Sequence, residues 1–177
     1  MMAALSRPLP DGPVLDLACG PSGSALLAAA AGRRVTAVDV SDAALRLLAE
    51  EASRRGVTGS VSLVHADLEA WRPQPGSYAV VVCTGYWDRD MFPAAVDAVA
   101  AGGVLGWEAL TADARRVRPG LPEAWVLGTG EPASLLPGTF EALSQQELPN
   151  DQAGAKRRLL ARRMPGLERG GVTGTRP

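Results

Sequence analysis

The stretch Val14-Leu15-Asp16-Leu17-Ala18-Cys19-Gly20-Pro21-Ser22-Gly23 decides how the rest of the chain is read. Its first six residues form a nearly continuous apolar run ending at a glycine, the pattern of a short strand buried on both faces. An alanine- and leucine-rich segment follows, with Ser24 placed to cap it as a helix and Gly32 placed to stop it. A glycine-rich turn between strand and helix lets a ligand approach bare backbone and aims the first helical N–H groups at it. Residues 35–40 read as a second strand, and Asp39 stands near its end, nineteen residues beyond Gly20. A carboxylate there can accept both hydroxyls of a ribose. Turn and carboxylate, in the order strand–turn–helix–strand, point together to a nucleoside ligand.

Outward from this core the alternation continues. Ser41 caps a second helix that carries Leu45, Leu48 and Ala52 on one face and ends at Gly56. Residues 61–65, 78–83 and 104–109 read as strands three, four and five. Between the third and fourth, residues 67–71 form one irregular turn, broken by Pro73 and Pro75. A helix over 91–101 stops at Gly102-Gly103. Such alternation requires right-handed crossovers and a parallel sheet. Residues 115–137, rich in Pro and Gly, read as a long irregular loop, and 139–145 as a short helix. Residues 146–148 and 157–161 read as an antiparallel hairpin at the sheet edge. The expectation is one domain over residues 1–164 and a disordered tail over 165–177, where apolar residues are few.

Composition narrows the function classes. The chain has 177 residues, 46% hydrophobic and 21% charged, which is a globular composition able to bury a core without staples. A net charge of −1 offers no electrostatic footprint for nucleic acid or membrane. Cys19 and Cys83 are the only cysteines and His65 the only histidine, so no disulfide framework, cysteine metal site or histidine metal site is expected. The N-terminus lacks a secretory pattern and no apolar run reaches the ~18 residues of a membrane span, which leaves a cytoplasmic protein as the expectation. Lys156 is the only lysine among many arginines, the usage of a GC-rich bacterial genome.

Charge then selects among nucleosides. A dinucleotide fingerprint wants G-x-G-x-x-G, and Gly20-Pro21-Ser22-Gly23 lacks its middle and final glycines. Asp16, at the turn end of the first strand, would repel a pyrophosphate but suits an ammonium or sulfonium. S-adenosylmethionine carries both cationic groups and no phosphate. A short-chain nicotinamide oxidoreductase is excluded further by the absence of a Tyr-x-x-x-Lys pair.

At these residues the chain resembles the class I S-adenosylmethionine-dependent methyltransferases, whose first motif is an acidic residue followed by a glycine-rich turn. The segment from Asp16 to Gly23 looks like that motif, with Ala18 and Ser22 standing where the family has two further glycines. The resemblance covers residues 13–110 well. It implies a Rossmann-like α/β fold, a doubly wound, mostly parallel seven-stranded sheet with a C-terminal antiparallel hairpin. It also implies that Asp16, Ala18 and Gly20 cradle the cofactor and that Asp39, with Val40, binds the ribose. Asp67 and the Leu68 N–H would read adenine, and Cys83-Thr84 would offer carbonyls to the methionine ammonium. Tyr86-Trp87-Asp88-Arg89 followed by Met91-Phe92-Pro93 is similar to the small tellurite-resistance and thiopurine-type branch of these enzymes.

The acceptor side is read from the carboxyl ends of strands four and five, where ligands meet a doubly wound sheet. Tyr86 and Trp87 would form an aromatic wall. Arg89 would bind an anionic substrate group unless it pairs with Asp88 or Asp90. Glu108 is the evident general base, and Trp107 either joins it or packs beneath the following loop. No Pro-Pro-aromatic cluster follows strand four, so base and amide nitrogens are set aside as acceptors in favour of a small molecule with a soft, oxyanionic or hydroxyl nucleophile. Arg157, Arg158, Arg162 and Arg163 read as a solvated edge strand and its exit. The alternative to catalysis is an S-adenosylmethionine-binding sensor or partner subunit. Only residues 1–13 precede the first strand, so a wide pocket, a lid from residues 115–137, or a partner is expected to complete the acceptor site.

Overall fold

The computed structural model describes residues 8–149 and 154–166. The first strand, β1 (Val14–Leu17), is buried at every position, as its apolar run requires. It is followed by α1 (Gly23–Ala30), β2 (Val35–Asp39), α2 (Asp42–Arg54), β3 (Val61–His65), β4 (Tyr78–Thr84), α3 (Met91–Ala98) and β5 (Val99–Leu110). A four-residue helix, α4 (Ala114–Val117), opens the irregular connection, and β6 (Phe140–Leu148) and β7 (Lys156–Arg163) close the fold. The sheet has seven strands in the order β3-β2-β1-β4-β5-β7-β6. Neighbours among β1 to β5 pair in parallel, and β7 runs antiparallel to both β5 and β6. The strand order reverses between β1 and β4, so the crevice beside their carboxyl ends is the place where such a sheet receives a ligand.

Two apolar layers hold this arrangement. On one face Leu26, Leu45 and Leu48 pack on Val14, Val35 and Ala37; on the other Phe92, Trp107, Leu105 and Leu159 form the larger cluster. Phe92 meets Trp107 at 5.2 Å in an edge-to-face contact, and Trp87 meets Trp107 in the same way at 6.1 Å.

The structure corrects several local expectations. The cap of α1 is Ser22, whose hydroxyl accepts from the N–H groups of Ser24 and Ala25, rather than Ser24. Helix α3 stops at Ala98, short of the glycine pair, because Val99 turns extended and pairs with Tyr78. Gly103 is required for a different reason: a Cβ there would lie 3.0 Å from the Ala79 carbonyl and 2.8 Å from that of Ala100. Residues 140–145, expected as a helix, belong to β6. Their Glu, Ala and Leu are good helix formers, but propensity yields to tertiary pairing, and the ladder to β7 overrides it, with an irregularity between Ala142 and Ser144.

Strand β7 is not the edge; it lies between β5 and β6, and its arginines are engaged rather than solvated. Arg157 bonds Glu147 and the carbonyls of Gly128 and Glu131, Arg158 bonds Glu108, and Arg163 bonds the Val99 carbonyl at 2.6 Å. Arg162 is buried. Residues 115–137 are anchored as a strap: Leu127 N–H donates to Leu110, and Gln145 ties to Gly130 and Ala133. The tail reading over 165–177 lies almost wholly outside the described residues, which end with a turn at Pro165-Gly166. Among the described residues no helix is long and apolar enough to cross a membrane, and no group of three or more His, Cys, Asp or Glu is gathered for a metal.

Candidate functional site

The turn after β1 is built around two carboxylates. Asp16 is 1% exposed, and its Oδ2 accepts from the Ser22 hydroxyl at 2.6 Å. That hydroxyl also caps α1, so one side chain ties the strand's acid to the helix N-terminus. Burial pushes the Asp16 carboxyl up to about 6, against the lowering effect of the Ser22 hydrogen bond, and the nearby Asp39 charge adds to the rise. Asp39 lies across the turn. Its Oδ2 accepts from Gly20 N–H at 2.7 Å and its Oδ1 from Ser41 N–H at 2.8 Å. Each oxygen keeps capacity for a second donor, so the contacts that fix the turn do not exhaust the carboxylate.

The backbone of the turn is left-handed at two places, Ala18 (φ 47°) and Gly20 (φ 55°). Gly20 adopts this conformation freely, whereas Ala18 holds it at a cost. Ser22, at φ −68°, lies in an ordinary region, so the loss of the family's glycine there strains nothing.

A cavity of about 70 Å³ opens against this turn, lined by Ala18, Asp39, Val40, Ala66, Asp67, Leu68 and Tyr86. Five of the expected cofactor residues thus meet in one slot. Val40 is 64% exposed and its carbonyl is held by His65 Nε2 at 2.9 Å, which makes His65 a support for the slot's edge. Asp67 Oδ1 accepts from Glu69 N–H at 2.9 Å. Asp16, Gly20 and Cys83 do not line the slot. Asp16 stands behind the turn, and Cys83, paired with Leu17 across β1 and β4, is fully buried with its thiol pushed well up by desolvation. Cys19 and Cys83 are both free thiols, and burial pushes Cys19 up to about 12.

The acceptor-side residues are less alike than the sequence suggests. Tyr86 lines the slot. Its carbonyl is fixed by Trp107 Nε1 at 3.0 Å, and its hydroxyl lies 3.4 Å from Asp88 Oδ2, to which it donates. Burial and the Asp88 charge push the phenol up to about 12. Trp87 is not a wall. It is 3% exposed in the core, and its indole N–H has no partner among the described residues. Trp107 is fully buried beneath the Tyr86 loop. Arg89 pairs with neither Asp88 nor Asp90; it reaches Glu131 through two hydrogen bonds of 3.0 and 2.7 Å.

Glu108, expected as a free base, accepts from Lys156 at 3.1 Å and from Arg158 at 2.8 Å. Burial alone would raise its carboxyl, but these two cations outweigh it and leave Glu108 below the usual range, a poor proton acceptor. The partners were unreadable from the sequence because they lie 48 and 50 residues away on β7. Ser22 was missed as the link between Asp16 and α1. Its signal was the serine two residues before the one assigned as cap.

Fold and slot together define a methyltransferase domain. The family model for that domain matches residues 14–103, and the chain belongs to this family, within the class I S-adenosylmethionine-dependent methyltransferases. The family's cofactor is S-adenosylmethionine. Trans-aconitate 2-methyltransferase from Paracidovorax citrulli (strain AAC00-1) is 36% identical over 100 residues, 52% of this chain. The match spans only 36% of that relative's length. A putative S-adenosylmethionine-dependent methyltransferase from Listeria monocytogenes superposes with a TM-score of 0.72 at 14% identity, over 92% of this chain and 94% of that one. Geranyl diphosphate C-methyltransferase from Streptomyces coelicolor A3(2), solved with Mg2+, geranyl diphosphate and S-adenosyl-L-homocysteine, gives 0.70 at 16% identity, over 92% and 75%. These two likenesses concern the fold.

Proposed function

We propose that the protein transfers a methyl group from S-adenosylmethionine to a small-molecule acceptor. The observation that carries this reading is the acid-lined slot at the carboxyl ends of β2 and β3, with Tyr86 from the β4 end closing its side. The residues present fit the cofactor. Asp16, behind the turn, is a buried carboxylate with no cation among its described partners, and a ligand bearing ammonium and sulfonium groups would place positive charge near it without touching it. Asp39 would take the ribose hydroxyls on the capacity left by its two backbone donors. Asp67 and Leu68 would read the adenine edge, and the Cys83-Thr84 backbone would meet the methionine end.

The cofactor supplies an already activated methyl group. This chain's residues therefore have to orient, and to exclude water, more than to move protons. Tyr86, held by Trp107 from below and by Asp88 at its hydroxyl, is the positioned side chain between cofactor slot and acceptor side. Glu108, held by two cations, offers no base, which supports an acceptor whose nucleophile reacts without one, such as a soft thiol. The same observation supports the second reading, a cofactor-binding subunit without turnover.

A panel of a thiol, a phenol, an oxyanion and an amine, assayed for S-adenosylhomocysteine release, separates the two. Turnover of any member establishes transfer. Tight cofactor binding without product from any member favours the sensor.

A further inference from the structure

We infer that the acceptor side of this site takes an uncharged or cationic small molecule, and that Glu131 sets this preference by withholding Arg89. The inference deepens the methyl-transfer reading and rests on it.

Arg89 is the one basic residue in the connection between β4 and α3, and the natural anchor for an acceptor carboxylate or phosphate. Its guanidinium is already occupied. Nε and Nη2 both bond the Glu131 carboxylate, Nη2 also reaches the Val126 carbonyl at 3.4 Å, and the group stacks 5.8 Å above the Trp87 ring. Glu131 is fixed from its own side by Gly128 N–H at 2.7 Å, and its side chain is 14% exposed. A two-pronged pair seated on a backbone donor and an aromatic face is a built element rather than a loose surface contact. The cations on β7 and after β3 are likewise engaged. Lys156 and Arg158 hold Glu108, and Arg157 holds Glu147 and two strap carbonyls. Arg72 is turned onto the carbonyls of Leu68, Glu69 and Trp71.

The carboxylates of the slot and of the connection between β4 and α3 are held otherwise. Asp39 and Asp67, in the slot, accept only from backbone N–H groups. Asp88 accepts from the Tyr86 hydroxyl and from the N–H groups of Asp90 and Met91. Every charge acting on the Tyr86 phenol, Asp88 and Glu69 among them, disfavours a further negative charge there. A second hollow, of about 480 Å³, lies beside the strap at Gly128, with Asp113 and Glu147 on its lining and Arg157 as its one cation, already paired. An anion therefore finds the Arg89 guanidinium already taken and the Asp88 carboxylate beside Tyr86, while a cation or a neutral molecule meets neither obstacle.

The test titrates trans-aconitate and citrate, by calorimetry, into full-length protein saturated with S-adenosylhomocysteine at neutral pH. No saturable binding is expected at millimolar concentration in the wild type, and Glu131→Gln is expected to gain binding by about tenfold or more. Adding Arg89→Met to Glu131→Gln should abolish the gain, which a general loosening of the strap would not do. Saturable binding by the wild type overturns the inference without any variant. So does a folded Glu131→Gln that gains nothing, and Glu131→Ala substitutes if the glutamine variant melts early. Failure of the methyl-transfer reading has a separate signature: S-adenosylmethionine itself does not bind and no acceptor releases S-adenosylhomocysteine.

Discussion

The two halves of the sheet's carboxyl edge treat their carboxylates in opposite ways. At the ends of β1, β2 and β3, Asp16, Asp39 and Asp67 are satisfied by a hydroxyl and by backbone N–H groups, and none has a described ion pair. At the ends of β5, β6 and β7 and along the strap, Glu108, Glu131 and Glu147 are each matched to lysine or arginine. On the proposed reading, the first half keeps negative charge in reserve for a cationic ligand. The second spends its charge on tying strap to sheet. A carboxylate's partners, more than its position at a strand end, therefore separate binding groups from structural ones.

This contrast has a pH signature of opposite sign in the two halves. Asp16 is raised to about 6 in the folded protein, so the fold binds its proton more tightly than the unfolded chain does. Its contribution is most favourable at low pH and is lost as pH rises from about 4 to 6, on the order of 3 kcal/mol. Glu108 and Glu131 are lowered, so their contribution is present above the unfolded value and lost as pH falls through the folded one. Urea unfolding across pH 3–8 should show Asp16→Asn removing a falling slope and Glu108→Gln removing a rising one. Slopes of the same sign would dissolve the distinction.

Asp39→Ala should weaken S-adenosylmethionine binding by about 1.5–3 kcal/mol, the value of hydrogen bonds to a charged group. Calorimetry with unchanged affinity would remove Asp39 from the site. Glu108→Ala should cost about 2 kcal/mol in stability, because it leaves two half-buried cations unpaired, a loss moderated by their partial exposure. The same variant should leave cofactor affinity unchanged; a parallel loss would place Glu108 in the cofactor half. Because a bound cation favours ionised Asp16, cofactor affinity should rise about tenfold from pH 5 to pH 7 and then level off, a dependence absent from Asp16→Asn. The smallest effect belongs to Ala18→Gly, which relieves the left-handed alanine and should stabilise the fold by about 0.5 kcal/mol in denaturant titrations.

The geometry of the turn after β1 was largely legible because its signals are local. Asp16, Gly20 and Asp39 lie within one strand–turn–helix–strand unit, and strand burial with glycine spacing fixes where each falls. Even there the left-handed backbone was misplaced: Ser22 is the less comfortable departure from glycine on sequence grounds, whereas the positive φ falls at Ala18. The seven-stranded topology followed from the alternation up to β5 and from the family resemblance beyond it. The partners of Glu108 and Arg89 were illegible because those contacts are long-range. The sequence distance from Glu108 to Arg158 is 50 residues and from Arg89 to Glu131 is 42. Helix propensity in residues 140–145 misled for the same reason, since the ladder to β7 is a tertiary fact.

The most direct measurement is a side-by-side calorimetric titration of S-adenosylmethionine and NAD into the full-length protein at neutral pH. Saturable one-to-one binding of S-adenosylmethionine, weakened by Asp39→Ala, with no heat from NAD, is the predicted result. Binding of the dinucleotide, or a slot indifferent to both compounds, would contradict it.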